Sequence, residues 1–343
     1  MFDTRIIDTA STKEMNCIKD LLNSQGLYLP AGAQYVIAVY NGSRLVGTGA
    51  LVGKILQGIA VDSEFQGEGI SAIIVTDLVN KALEIGRNHL FIFTKPKSSS
   101  LFQALGFKPV AASKPDVVLL EWGTQSIEKF KSGLRQISRD KPEASCIVVN
   151  CNPFSLGHKY IIEKASYESR WLYVIVVQED KSLFPYEARI KLVAKGIGHL
   201  ENVTVIPGGD YIISAATFPS YFTREADLAR VHASLDIEVF TTHIAPALKI
   251  NRRYVGEEPY CEVTNLYNMV MKNRLPKKGI QLIEVPRVEN NGRPISASFI
   301  REKIKAGEID HITELVPKST LSYLKSSQAR EVIERIVNSS SRH

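Results

Sequence analysis

Apolar positions fall into short runs separated by turn-forming residues, and the period within each run changes along the chain. Met15, Ile18, Leu21 and Leu22 share one face of a helix predicted over 13–24. Residues 35–40 read as a strand, Asn41-Gly42 as a hairpin turn and 45–51 as the returning strand. A strand over 56–61 runs into the polar loop 62–71, which opens an apolar helix through Ala72, Ile73, Val75, Leu78, Val79 and Leu83. Residues 90–95 predict a strand and 101–107 a short helix. Between 123 and 145, Gly123, Ser132, Gly133 and Pro142 stand among charged residues and predict a connecting helix and linker.

The pattern then changes. Cys146-Ile147-Val148-Val149 reads as a buried strand, 150–157 as a tight turn broken by Pro153 and Gly157, and Tyr160, Ile161, Ile162 and Ala165 give helical spacing. Further strands are predicted at 171–177, 203–206, 237–240 and 281–285, with helices at 186–194, 223–233 and 262–275 between them. Strands buried on both faces and alternating with helices predict a doubly wound parallel sheet. The fold class is therefore α/β. At 343 residues the chain accommodates two domains and a small helical tail, here a first domain over 1–122, a linker over 123–145 and a second domain over 146–343.

Composition narrows the function. Hydrophobic residues make up 44% and charged residues 23%, enough for real cores and too apolar for a disordered chain. A net charge of +6 suits anionic partners such as nucleotides or a phosphorylated cofactor, but no Lys/Arg block is dense enough to require nucleic acid. Cys17, Cys146, Cys151 and Cys261 lack metal-ligand spacing and read as reduced thiols. No signal peptide pattern opens the chain, and no apolar run reaches the ~18 residues of a membrane span, so a cytoplasmic protein without membrane contact is expected.

The chemistry concentrates where a strand hands over to a helix. His158 falls at the start of the helix that follows the turn, and unpaired amides at such a terminus favour phosphate. Gly157 lets the backbone approach a ligand, and an imidazole there adds a donor to a phosphate in the transition state. A second helix start, after the fifth strand, has Ser296 as its cap, with Ser298 and Arg301 in the first turn. Hydroxyls, amides and a guanidinium in that arrangement grip β- and γ-phosphates. The glycine-containing loop Gln66-Gly67-Glu68-Gly69-Ile70-Ser71 offers a third set of amides, suited to a pyrophosphate. Arg253, Glu257 and Glu258, with Gly256 and Pro259, form an expected ordered loop near the sheet's C-terminal edge, either a substrate contact or a structural ion-pair loop. His243 is expected to be structural, and no metal-ligand set is apparent.

Several of these stretches resemble known families. Ser155-Leu156-Gly157-His158 resembles the His/Thr-x-Gly-His signature of the nucleotidyltransferase superfamily, with Ser155 departing at its first position. Ile295-Ser296-Ala297-Ser298, with Arg301, resembles its second signature, although Phe299 stands where relatives often carry a positive group. Residues 1–122 resemble the GNAT acetyltransferase fold, with Gln66, Gly69 and Ser71 at the positions of its pyrophosphate loop. Together with Asn150–His158, Arg253–Pro259 and Val263–Asn268, this pairing is similar to the citrate lyase ligase family over nearly the whole chain.

The resemblance implies a ligase that activates acetate with ATP and Mg²⁺ and acetylates the thiol of the CoA-like prosthetic group on the citrate lyase acyl carrier subunit, through acetyl-AMP, releasing AMP and diphosphate. It implies catalytic roles for His158, Ser155 and Arg301. Nucleotide contacts fall to Asn152, Pro153, Phe154, Gly157, Ile295, Ser296 and Ser298, and the prosthetic arm to Gln66, Gly67, Gly69 and Ser71. The first domain either holds that arm or only packs on its neighbour. Three other readings stay open: an enzyme building a dinucleotide-type cofactor, a non-catalytic nucleotide-binding regulator, and an N-acetyltransferase with an appended domain.

Overall fold

The computed structural model describes residues 2–179, 182–218, 226–259, 261–290 and 292–339. The contacts divide the chain after Phe130 into two compact units.

The first unit is built on a mixed sheet. Its strands are β1 (Asp3–Ile6), β2 (Tyr35–Asn41), β3 (Arg44–Val52), β4 (Ile55–Val61), β5 (His89–Thr94), β6 (Lys108–Ser113) and β7 (Val117–Gly123), in the spatial order β1-β2-β3-β4-β5-β7-β6. Strand alternation explains the layers. Ile37 and Val39 of β2 point into one core, with Ile70, Ile74 and Leu78 of helix α2 (Ile70–Glu84). Val36 and Ala38 point into the other, with Met15, Ile18 and Leu22 of helix α1 (Thr12–Ser24). Both faces are covered, so β2 and β3 are almost continuously apolar. β1, β6 and β7 are additional to the strands predicted above; the apolar run Val117–Leu120 carries the last of them.

Close approach of α2 sets the identity of two residues on β3. A Cβ on Gly49 would lie 2.5 Å from Ile74 Cγ2 and 3.1 Å from Leu78 Cδ1, and one on Gly47 2.6 Å from Ile70 Cγ2. The helix therefore lies nearer the sheet than any side chain allows.

The second unit carries an all-parallel sheet of β8 (Ala144–Val149), β9 (Leu172–Val176), β10 (Val203–Pro207), β11 (Ile250–Gly256) and β12 (Gln281–Val285), in the order β10-β9-β8-β11-β12. The order reverses direction between β8 and β11, the topological switch point where ligands collect in such sheets. On one face Ile147, Val149, Ile161, Ile162 and Tyr254 share a core with Ile300, Ile304, Leu324 and Val332. The C-terminal helices are thus part of this core rather than an appended tail.

Two expectations are corrected. Residues 237–240 are not the fourth strand: they end a helix, Ala226–Val239, that continues through a π-helical turn, Phe240–Ile244. Its buried positions Ala229, Ala233, Ile237, Phe240 and Ile244 follow helical spacing, which outweighs the local strand preference of Ile237, Val239 and Phe240. The fourth strand is β11, disguised by Asn251, Arg252 and Arg253. The first three residues of the helix predicted at 223–233 lie outside the described residues.

Replacing Gly49 with Val should lower stability by about 1–3 kcal/mol, the usual cost of overpacking. Urea unfolding followed by tryptophan fluorescence measures this, and an unchanged midpoint would mean α2 can retreat from the sheet freely.

Candidate active site

The turn after β8 leaves the sheet at the switch point, so the backbone groups of residues 150–155 need partners other than strands. Arg189, fully buried, supplies one and ties it to the segment after β9: Nη1 donates to Asn150 O (3.0 Å) and Val177 O (2.6 Å), Nη2 to Glu179 O (2.8 Å) and Nε to Phe184 O (2.9 Å). Asn152 Oδ1 accepts from Phe184 N (3.0 Å), tying the turn to the loop after β9. The turn is therefore rigid before any ligand arrives.

Ser155 ends the turn as the N-cap of the helix Leu156–Tyr167. Its Oγ accepts from His158 N (3.3 Å), and its own N–H donates to His158 Nδ1 (3.2 Å), which completes a capping box with histidine in the place usually held by Glu or Gln. Ser155 Oγ is also 2.8 Å from Nδ1. An Nδ1 that accepts a backbone N–H carries no proton, so the neutral ring holds its hydrogen on Nε2. Burial, and next the charge of Arg287, push the imidazole down to about 4. Near neutral pH His158 is an uncharged donor whose ring is pinned by the helix it starts.

The second helix start, Ala297–Lys305, is capped by Ser296, whose Oγ accepts from Phe299 N (3.1 Å). Arg301 is buried on its first turn, donating through Nη1 to Asn152 O and through Nη2 to Ser298 Oγ (3.3 Å). A Cβ on Gly157 would sit 3.4 Å from Ile295 O, so the two motifs touch through their backbones.

Between them opens a cavity of about 750 Å³, a volume in the range of small-molecule sites. Asn152, Ser155, Gly157, His158, Ile295, Ser296, Ser298, Arg301, Arg253 and Glu257 all line it. Pro153 and Phe154 do not. Phe154 is fully buried, and its carbonyl accepts from Thr320 Oγ1 (2.8 Å), so it anchors the turn to a C-terminal helix instead of facing a nucleotide.

Arg253 is not in the loop expected around it. It lies inside β11, 1% exposed, and only the segment from Glu257 onward is at the sheet's edge. Cys146 and Cys151 border the turn, but burial raises both thiols, that of Cys146 to about 12, so neither is poised as a nucleophile.

A further cavity residue, Arg287, escaped the sequence reading. Arg287 binds Glu258 (Nη2 to Oε2, 2.5 Å) and Glu257 O (Nε, 2.8 Å), and its charge reaches His158. Glu258 Oε1 also accepts from Cys261 N (3.1 Å). The position of Arg287 just past the C-terminal end of β12 was the available signal.

Among the described residues no cluster of three or more His, Cys, Asp or Glu is placed to hold a metal ion. Among the described residues no helix is long and apolar enough to cross a membrane.

In the first unit, Gly67 (φ 94°) and Gly69 (φ 80°) take left-handed conformations in the exposed loop before α2, with open space where a side chain would project. Gln66 is exposed and Ser71 lies in the first turn of α2. β4 and β5 pair in parallel only through Ile55–Phe91 and Leu56–Ile92 and then part, on the side where β4 leads to this loop.

Fold and motifs together define a class: an acetyltransferase-type unit followed by a nucleotidyltransferase-type parallel-sheet unit. Family models agree, matching an acetyltransferase (GNAT) domain over residues 6–116 and the citrate lyase ligase C-terminal domain over 144–324. The chain is 39% identical over 312 residues to the citrate (pro-3S)-lyase ligase of Klebsiella pneumoniae, covering 90% of this chain and 91% of the relative. It is 34% identical to that of Escherichia coli K12 (93% of each chain) and 36% identical to that of Haemophilus influenzae (91% and 96%). The chain belongs to the citrate lyase ligase family.

The capping box makes a prediction about protonation. The folded chain resists a proton on His158 that the unfolded chain accepts near the ordinary histidine value of about 6.5. Stability from this group is therefore full above that pH and is lost as pH falls toward 4. ¹⁵N-detected titration of the ligand-free protein should show the Nε2–H tautomer at pH 7 and a midpoint near 4; a midpoint near 6.5 contradicts the neutral-donor assignment.

Proposed function

We propose that this protein is an acid–thiol ligase of the citrate lyase system, which uses MgATP to acetylate the thiol of the prosthetic group on the citrate lyase acyl carrier protein. The observation carrying this reading is that both helix starts, capped by Ser155 and Ser296, border one cavity at the switch point of a parallel sheet. Family membership supplies the chemistry that such a site serves.

In the first step an acetate oxygen attacks the α-phosphorus of ATP. The bond from that phosphorus to the bridging oxygen breaks, and diphosphate leaves with the electron pair. Charge grows on the non-bridging α-oxygens, where Nε2–H of His158 and the amides at the start of its helix donate. Neutral histidine does this without giving up a proton, so its low basicity suits the task. Ser296, Ser298 and the amides of the second helix start hold the leaving diphosphate. Arg301 adds charge there while bonded to Asn152 O, so the two halves of the phosphate cradle stay in register.

In the second step the thiolate attacks the carbonyl carbon of acetyl-AMP and expels AMP, leaving the thioester. The prosthetic group is CoA-like and carries phosphates. The left-handed glycine loop Gln66–Ser71, at the start of α2, serves in this reading as the cradle for the pyrophosphate of the arm.

Acetate-dependent exchange of labelled diphosphate into ATP tests the first step. His158→Ala should lower the exchange rate by roughly 10²–10³-fold, the usual cost of one such donor; a loss under threefold removes His158 from the reaction. Gly69→Glu should impair acetyl transfer to thiol-form carrier protein far more than diphosphate exchange. Equal loss of both, or intact transfer, shows that the division of labour between the units is wrong.

A further inference from the structure

One charged side chain in the cavity wall has, among the described residues, no hydrogen-bond partner for two of its three nitrogens. Arg253 is 1% exposed in β11, an interior strand of the sheet. Its Nη2 donates to Tyr267 Oη (3.0 Å), and that hydroxyl donates onward to Asp236 Oδ2 (2.6 Å). The other oxygen of Asp236 is filled by Ile213 N (2.7 Å) and Thr217 Oγ1 (2.6 Å). The carboxylate is therefore satisfied without reaching the guanidinium directly. Among the described residues, Nε and Nη1 of Arg253 have no hydrogen-bond partner. Phe240 offers them only a ring face, 4.5 Å from the guanidinium carbon to the ring centroid.

A guanidinium has two forks, each combining an Nη with either Nε or the other Nη. Whichever hydrogen Nη2 gives to Tyr267, at least one fork remains open. An open fork on a buried cation costs several kcal/mol in a protein interior. Its geometric complement is a carboxylate, which accepts two parallel N–H bonds. The apolar part of the cavity lining includes Ile147, Val255, Val263 and Met271, which suit a short apolar chain. The nucleotide phosphates already have two helix starts of their own.

We propose that Arg253 receives the carboxylate of the small organic acid that the enzyme activates, with Tyr267 and Asp236 holding the guanidinium in position. This rests on the ligase reading above. The fork would hold the carboxylate in place, so Arg253 determines affinity for the acid.

The test uses the full chain. Methyl-¹³C acetate is titrated against wild type, Arg253→Met and Arg253→Lys, with and without a non-hydrolysable ATP analogue, following NMR line broadening; near-UV circular dichroism checks folding. Acetate and ATP dependence of diphosphate exchange are measured in parallel. Wild type should broaden the acetate line. Both variants should raise the KM for acetate at least tenfold and leave the KM for ATP within about twofold, because a lysine at this site keeps charge but not the fork. Unchanged acetate affinity in either folded variant overturns the proposal, as does absence of acetate binding to wild type under both conditions. Exchange that persists with an unaltered acetate KM leaves the ligase reading standing and removes Arg253. Arginine-dependent acetate binding without any acetate-dependent exchange does the reverse.

Discussion

The carbonyl groups of the turn at 150–152 cannot be paired by strands, and two buried arginines satisfy them. Arg189 reaches Asn150 O from the helix after β9, and Arg301 reaches Asn152 O from the helix after β12. Buried backbone acceptors left unpaired are expensive, so this turn exists in its observed form only because both guanidinium groups are present. The consequence reaches the site directly. One arginine fixes the turn to the sheet, and the other fixes it to the second capped helix, so the two helix starts are held in one geometry.

Within that frame, chemistry follows from hydrogen-bond direction. The N–H of Ser155 points at Nδ1 of His158 and leaves the Nε2 proton as the available donor. Burial and Arg287 keep the ring neutral. The serine that departs from the usual signature is thus not a lost imidazole alone. It is the cap that determines which ring nitrogen of the histidine carries the proton.

The first unit solves a different problem by similar means. Its glycine loop before α2 adopts left-handed conformations that expose backbone amides at a helix start, while Gly47 and Gly49 let the same helix settle against the sheet. Its helix start is therefore shaped by glycine conformation, whereas those of the second unit are shaped by serine caps and buried arginine. Both produce a fixed set of donors with little reorganisation on binding.

Local pattern was sufficient wherever the determining interactions are local. Ser155 and His158 are three residues apart, as are Ser296 and Phe299, so both caps and both helix starts could be read from the chain, and the continuous apolar runs of β8 and β9, alternating with helices, indicate a parallel sheet. The reading failed where distant groups decide. Ile237-Glu238-Val239-Phe240 has strand character in isolation, yet long-range packing makes it helix. Arg253 looks like a loop residue until Tyr267, Asp236 and Phe240, from other parts of the chain, are brought around it. Phe154 sits within a binding motif but was claimed by the core through Thr320. Sequence determined the capped helix starts because their hydrogen bonds close within one turn; only the tertiary structure decided which of the remaining charges are buried, because burial depends on what folds over them.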